Sequence, residues 1–194
     1  MKKEKMMLFI LIAILMFGVI SIFAIITAEA KESEGTYLSE DIQEVCNKVA
    51  TDYDLSPELL MAICERESAG DVYASGDGGK AYGLMQIHAC YQQERMQDLG
   101  ITNLYDPESN IRVGAEIICE WKEQYPDMRL ALAKYNGVSN AVEKYNRGEI
   151  CEYSTWVLNR ATEIRIANIK ERFRKVFKSI ELAITGKEKS GEDK

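Results

Sequence analysis

The chain has 194 residues, of which 46% are hydrophobic and 28% charged, and its formal net charge at pH 7 is −7. This length suits one domain with a hydrophobic core and short appendages. The acidic balance argues against a sequence-independent nucleic-acid binder, because such a protein needs a basic footprint. One histidine, and five cysteines without C-x-x-C spacing, exclude most zinc sites.

The N-terminal residues predict export. Three lysines precede an apolar run over residues 6–28, which as a helix would be roughly 35 Å long and could cross a hydrocarbon core of about 30 Å. Basic residues before such a span stay in the cytoplasm, so the remaining chain should lie outside. We expect residues 1–30 to be an uncleaved single-pass anchor in the cell membrane. The alternative is a signal peptide cut after the small-residue site Ala28-Glu29-Ala30, which would give a secreted protein.

Helical signals dominate the rest of the chain. After a polar linker at residues 31–38, we expect one α-rich domain over residues 39–184 and a polar tail at 185–194. The glycine-rich residues 70–82 predict a loop or a small irregular β-hairpin. The predicted helices cover residues 39–53, 57–69, a long segment from 106 onward, 130–136 and 153–184, with Ser56 and Asp106 as N-caps.

The second predicted helix places a carboxylate, Glu67, on an apolar face. Leu60, Ile63 and Cys64 precede it at the spacing of one helical face. A carboxyl there is partly desolvated and lies at the end where the helix dipole disfavours negative charge, so its pKa should rise, as a general acid near neutral pH requires. Glu65 falls on another face and is expected to be solvent-exposed. The pattern alone favours a structural carboxyl that caps or pairs inside the fold.

Four short motifs follow one another in the chain: Glu67-Ser68, Gly83-Leu84-Met85-Gln86-Ile87, Ala133-Lys134-Tyr135-Asn136 and Tyr153-Ser154-x-x-Val157-Leu158. In this order and spacing they resemble the soluble lytic transglycosylase (SLT) domain family, over residues 40–165. The resemblance implies an all-α, lysozyme-like fold, peptidoglycan glycan strands as substrate, and neither a metal nor a cofactor.

The resemblance also implies roles for single residues. Glu67 matches the catalytic glutamate, Ser68 its companion that orients substrate, and Tyr153 the late tyrosine that hydrogen-bonds the catalytic carboxylate. For Met85 a place in the core is an equal alternative to a place on the cleft wall. The remaining matches would border the cleft and bind substrate, with the backbone freedom of glycine and the donor and acceptor of glutamine suited to sugars: Gly83, Gln86, Tyr135 and Asn136.

The reaction implied by the resemblance cleaves the β-1,4 bond between N-acetylmuramic acid and N-acetylglucosamine and leaves a 1,6-anhydromuramyl end. Two alternatives stay open. The loop around Asp77 also resembles that of goose-type lysozymes, in which such an acid positions water for hydrolysis. A non-catalytic glycan-binding component of a wall-spanning apparatus would share the fold.

The expected partners are the glycan strands and, through residues 6–28, the cytoplasmic membrane; no nucleic-acid partner is expected. Analogy alone suggests assembly of a secretion or conjugation apparatus as one setting, and general wall turnover stays open as the other.

Overall fold

The computed structural model describes residues 6–7, 34–149 and 151–185. The predicted span over residues 6–28 and the predicted tail at 185–194 lie outside these ranges, apart from the residues at their edges. Within the described ranges, no helix is both long enough and apolar enough to cross a bilayer. The described residues from Glu34 onward belong to one compact unit.

Helices dominate the described part of this unit, and three two-residue strands accompany them. The helices are α1 (Glu40–Asp52), α2 (Pro57–Ser68), α3 (Gln93–Asp98), α4 (Pro107–Gln124), α5 (Met128–Tyr135), α6 (Ala141–Asn146) and α7 (Glu152–Thr185). The strands β1 (Ser75–Gly76), β2 (Ala81–Tyr82) and β3 (Ile87–His88) form an antiparallel sheet in the order β1-β2-β3. The α-rich class is confirmed, with a small sheet added to it.

The two predicted N-caps have different outcomes. Asp106 caps α4 as expected, because its side chain accepts a hydrogen bond from the Ser109 amide at 2.9 Å. Ser56 makes no such bond at the start of α2, and its hydroxyl instead donates to Glu58 at 2.7 Å. Pro57 occupies the first turn of α2, where the missing N–H removes one amide that would need a partner.

α2 lies at the centre of the core. Residues 59–65 are buried without interruption, and both α1 and α7 pack against this helix. A helix enclosed on all sides buries polar as well as apolar positions. The prediction that Glu65 is solvent-exposed is therefore wrong: its side chain is fully buried and pairs with Arg160 at 2.6 Å.

The sheet begins inside the glycine-rich stretch. β1 and β2 form the small hairpin that was one of the two structures expected for residues 70–82, with Gly76 opposite Ala81. β3 was not predicted, because two residues are too few to show a period-2 pattern. The six-residue helices α3 and α6 were missed for the same reason, since each has fewer than two turns.

Asn110, fully buried on α4, attaches the sheet region to the helices. Its Oδ1 accepts a hydrogen bond from the Met85 amide at 2.8 Å. Its Nδ2 donates to the carbonyls of Tyr82 and Leu104, both at 2.8 Å. Gly83 lies between these contacts with a φ of 70°, and a Cβ there would be 2.4 Å from the Leu104 carbonyl oxygen. The turn therefore requires glycine.

Candidate active site

Glu67 lies in the last turn of α2, half-buried, and pairs with α7. The Tyr153 hydroxyl donates a hydrogen bond of 2.6 Å to Glu67 Oε1. Burial raises the pKa of the Glu67 carboxyl and outweighs the Tyr153 hydrogen bond and the charges of Arg66 and His88, all of which lower it. The site therefore holds one carboxyl that retains its proton to higher pH than an exposed glutamate.

Tyr153 is suited to remain the donor in this pair. Its side chain is buried, and its pKa is raised well above the ordinary range by burial first, and then by the charges of Tyr135 and Glu67. The hydroxyl therefore keeps its proton near neutral pH and donates it to the hydrogen bond with Glu67.

Glu67 and Tyr153 both line a cavity of about 980 Å³, whose remaining wall comes largely from α5, α6 and the first turns of α7. This volume is at the upper end of the range of small-molecule sites, about 300–1,000 Å³. Asn136, exposed at the end of α5, lines the same cavity. Charged groups of both signs share the wall: Arg66, Arg129, Lys144, Glu67, Glu149 and Glu152.

Ser68 connects α2 to the segment that follows β2. Its hydroxyl lies 3.0 Å from the Cys64 carbonyl oxygen and 2.9 Å from that of Leu84, and it accepts from the Gly70 amide at 3.2 Å. One hydroxyl has a single proton to share between two carbonyls. Ser68 thus holds the Leu84 backbone against the end of α2, and its predicted contact with substrate stays a prediction.

The two other motif residues next to Leu84 also serve the fold. Met85 is 1% exposed, and its sulfur lies against Gly114 of α4, so the side chain fills the core, the alternative that the sequence left open. Gly83 is buried between Leu104 and Asn110, and the close approach that it permits is to these two residues.

Gln86 and Tyr135 each donate a side-chain hydrogen bond to a backbone carbonyl in the segment between β2 and β3. Gln86, half-buried with a φ of 49°, donates from its side-chain nitrogen to the Gly83 carbonyl at 3.0 Å. The Tyr135 hydroxyl donates to the Met85 carbonyl at 2.8 Å. Burial and then the charge of Glu67 raise the pKa of Tyr135, which places this tyrosine in the electrostatic environment of Glu67. Neither side chain is part of the cavity wall described above.

Asp77 lies in the hairpin turn with a φ of 47°, and its side chain is 63% exposed. Its Oδ2 is 3.8 Å from Nδ1 of His88, whose ring stacks on Tyr91 at a centroid distance of 5.7 Å. His88 in turn acts on Glu67 through its charge. The 3.8 Å separation is too long for a hydrogen bond, so Asp77 lies near His88 without a bonded connection to Glu67.

No functional role was predicted for Arg66 or Glu65. Arg66, on the cavity wall, lies over the ring of Trp156 at 5.1 Å, and Glu65 pairs with Arg160. The run of six apolar residues before Glu65 was a signal that α2 is buried all round. In the described part of the chain, no group of His, Cys, Asp and Glu side chains is arranged to hold a metal ion.

The sequence profile described as "Transglycosylase SLT domain" matches residues 44–150, a range that includes Glu67, the sheet and α4 to α6. The chain belongs to this family. The SLT domain family was the one indicated by the four motifs, so that interpretation is confirmed. Tyr153 lies just beyond the matched range.

Two comparisons show how much of the chain resembles known proteins. A transglycosylase of Enterobacteria phage PRD1 is 34% identical over 97 residues, which are 50% of this chain and 35% of the phage protein. The X-ray structure of an inactive mutant of the lytic transglycosylase Slt from Pseudomonas aeruginosa superposes with a TM-score of 0.53 and 23% identity, over 66% of this chain and 24% of that chain. At this identity the second likeness shows the fold alone. The chain spans about a third or less of the length of either relative.

Proposed function

We propose that this chain is a lytic transglycosylase that cleaves the glycan strands of bacterial peptidoglycan, with Glu67 as acid and then as base. The observation that carries the proposal is one carboxyl, its pKa raised by burial, held by Tyr153 at the wall of a cavity large enough for a sugar. Membership of the SLT domain family supports the substrate class. The phage relative is named a transglycosylase, which agrees with the proposed type of reaction.

One carboxyl is enough for this reaction because the same group gives and takes a proton. Tyr153 engages Oε1, which leaves Oε2 to hold the proton that is transferred. Oε2–H protonates the oxygen between N-acetylmuramic acid and N-acetylglucosamine as the bond from that oxygen to the muramyl anomeric carbon breaks. The resulting carboxylate removes the proton of the muramyl 6-hydroxyl, whose oxygen closes onto the anomeric carbon. Glu67 is again protonated and no water is consumed.

The decisive variant is Glu67→Gln in the full-length protein, which keeps the shape and removes the transferable proton. We expect the rate of fragment release from purified peptidoglycan to fall by about 100- to 10,000-fold, the usual contribution of general acid–base catalysis. Glu58→Gln is the matched control, because it neutralises a carboxylate on the same helix, outside the cavity wall. Unchanged degradation by Glu67→Gln would end the assignment of Glu67 as acid and base, whereas a wild type that binds peptidoglycan and releases no fragments would be a glycan-binding protein.

Hydrolysis is the second candidate, and the contact of Asp77 with His88 is the observation that favours it. In this reaction the exposed carboxylate of Asp77 would orient a water molecule toward the anomeric carbon. Mass spectrometry of the fragments separates the two reactions, since an anhydro end is lighter by one water than a reducing end. We expect anhydro ends from the wild type and from Asp77→Asn. Reducing ends that disappear in Asp77→Asn would establish the hydrolytic reaction instead.

We also propose that residues 6–28 anchor the chain in the cytoplasmic membrane, with the SLT domain on the outer side. Its support is the sequence pattern of lysines followed by an apolar run. The intact mass of the protein recovered from membranes tests the anchor. A mass that begins after Ala30 would show that the segment is a cleaved signal peptide.

A further inference from the structure

Three consecutive residues of α2 each pair with a different turn of α7. Glu65 pairs with Arg160 at 2.6 Å, Arg66 lies over Trp156 at 5.1 Å, and Glu67 accepts from Tyr153 at 2.6 Å. The partners on α7 are separated by four and then three residues, about one helical turn each. We call these three contacts the α2–α7 clamp. Each step of one residue along α2 thus corresponds to about one turn of α7.

Glu65–Arg160 is the most enclosed contact of the clamp. The side chain of Glu65 is 0% exposed and that of Arg160 is 12% exposed. Two guanidinium nitrogens contact the carboxylate, with Nε 2.6 Å from Oε2 and Nη2 3.2 Å from Oε1. A desolvated pair with two parallel hydrogen bonds fixes both distance and orientation.

The residues that precede α1 complete this contact. We call residues 34–37 the strap. Arg160 donates to the carbonyl oxygens of Glu34 and Gly35, both at 2.9 Å. The Thr36 hydroxyl donates to Glu65 Oε1 at 2.6 Å, and the Tyr37 hydroxyl donates to the Glu65 carbonyl at 3.2 Å. These hydrogen bonds of the strap lie at the Glu65–Arg160 end of the clamp.

We propose that Glu65 and Arg160 are positioning residues for Glu67, and that the strap is part of the same device. Glu65 and Glu67 are about 200° apart around α2, since consecutive residues are separated by about 100°. The Glu65 pair therefore holds the side of the helix that faces away from Glu67 and opposes rotation of its last turn. Such a rotation would withdraw Glu67 from Tyr153 and from the cavity wall. This inference rests on the proposed function of Glu67.

The test compares Glu65→Gln in the full-length protein with Asp52→Asn. The control removes the carboxylate of a different interhelical ion pair, Asp52–Arg112 at 2.7 Å, which joins α1 to α4 and leaves α7 untouched. Rates on soluble glycan strands, at limiting and at saturating concentration, are corrected for the folded fraction measured by thermal unfolding. Thr36→Val removes one hydroxyl from the strap and should give a smaller change in the same direction.

For Glu65→Gln we expect the rate at saturating substrate to fall by about 10- to 100-fold, as for a small misplacement of a catalytic group. The alkaline limb of the pH–rate profile should move to lower pH, because water admitted to Glu67 removes the burial that raises its pKa. Glu65→Gln replaces none of the charged or titratable groups that act on Glu67 or on which it acts, which are Cys64, Arg66, His88, Tyr135 and Tyr153. In a Trp121→Phe background, Trp156 is the single tryptophan. Because Arg66 lies over its ring, we expect Glu65→Gln to change its fluorescence emission.

A rate and pH profile for Glu65→Gln that match those of Asp52→Asn at equal folded fraction overturn the proposal. If Glu65→Gln does not fold, Arg160→Lys serves as the same test. Lysine keeps the positive charge but cannot make the two parallel hydrogen bonds of the guanidinium to Glu65. An inactive Glu67→Gln beside a fully active Glu65→Gln removes the clamp and leaves the proposed function standing. An active Glu67→Gln removes the proposed function itself.

Discussion

The burial of Glu67 and its hydrogen bond from Tyr153 have opposite effects on the pKa of the Glu67 carboxyl. Burial raises the pKa of Glu67, whereas the hydrogen bond from Tyr153 lowers it by stabilising the carboxylate. The catalytic cycle proposed here needs both forms of the carboxyl, the acid for the first step and the base for the second. Tyr153 therefore keeps the pKa of Glu67 from rising so far that the base form is lost.

Tyr153→Phe removes this hydrogen bond and keeps the ring. We expect the pKa of Glu67 to rise further, so that the alkaline limb of the pH–rate profile moves to higher pH, opposite to the shift expected for Glu65→Gln. The rate at pH 7 should fall by about 10-fold or more as the carboxyl loses its fixed orientation, and stability should fall by about 1 kcal/mol. Rates measured from pH 4 to pH 9 check the shift. An alkaline limb that stays in place would mean that the hydrogen bond does not tune Glu67.

The raised pKa of Glu67 also predicts a pH-dependent stability. A glutamate whose folded pKa exceeds its unfolded value binds its proton more tightly in the folded state, so stability falls as pH rises from about 4.3 through the folded pKa. Glu67→Gln lacks this loss and should be more stable than the wild type at pH 8, with no such advantage at pH 4. Urea unfolding at both pH values measures the difference. Equal stability at pH 8 would contradict the burial of the charge.

The motif residues around Glu67 show what the sequence predicts of the site. The Glu67–Tyr153 contact follows from the family resemblance, and the structure contains it at 2.6 Å. Ser68 and Met85 belong to the same motifs, yet their side chains engage backbone carbonyls and the core. A motif therefore marks residues that shape the cleft as well as residues that face it, and only the contacts distinguish the two.

At the scale of helices and strands, length decided what could be predicted. α1, α2, α4 and α7 were predicted because each is three or more turns long, and the eight-residue α5 was predicted at 130–136 as a compact buried helix. Local sequence patterns could not predict that Glu65 on α2 pairs with Arg160 on α7, since the two residues are 95 positions apart in the chain. The burial of Glu65 depends on that pairing, which is why its exposure was predicted wrongly.

The end of α2 carries backbone strain that a substitution can remove. Ala69, the C-cap residue, has a φ of 53° in the left-handed region, which costs a residue with a Cβ roughly 1–2 kcal/mol. Ala69→Gly relieves this cost and loses roughly 0.4–1 kcal/mol through the greater freedom of the unfolded chain. We expect a net gain of about 0.5–1 kcal/mol in the free energy of unfolding, measured in urea. A loss of stability would show that the Ala69 side chain makes contacts worth more than the strain.

At the scale of the whole unit, two sets of contacts fix the surroundings of Glu67. The α2–α7 clamp holds the helix that bears it, and Asn110 holds the sheet region against α4. Ser68 bridges the two, because its hydroxyl joins α2 to the Leu84 carbonyl. The sheet region carries Gln86 and His88, so its position relative to α2 decides what faces the carboxyl.

Asn110→Asp tests how far the sheet region depends on one buried amide. The variant keeps the size and the acceptor for the Met85 amide, and removes both hydrogen bonds donated to the carbonyls of Tyr82 and Leu104. Two buried carbonyls then face a carboxylate oxygen, so we expect a loss of about 2–4 kcal/mol in the free energy of unfolding. The loss should shrink at low pH, where the introduced carboxyl is protonated and can donate one hydrogen bond.

Asn103→Asp is the matched control for this change, because its Oδ1 accepts from the Tyr105 amide in an exposed turn and an aspartate can accept there equally well. Urea unfolding of both variants, at pH 4 and pH 8, separates the burial of Asn110 from the chemistry of the substitution. If Asn110→Asp were as stable as Asn103→Asp at pH 8, the sheet region would have to be held by other contacts. Hydrogen exchange at the Met85 and Ile87 amides, faster in Asn110→Asp alone, would show that the sheet region loosens while the helices stay protected.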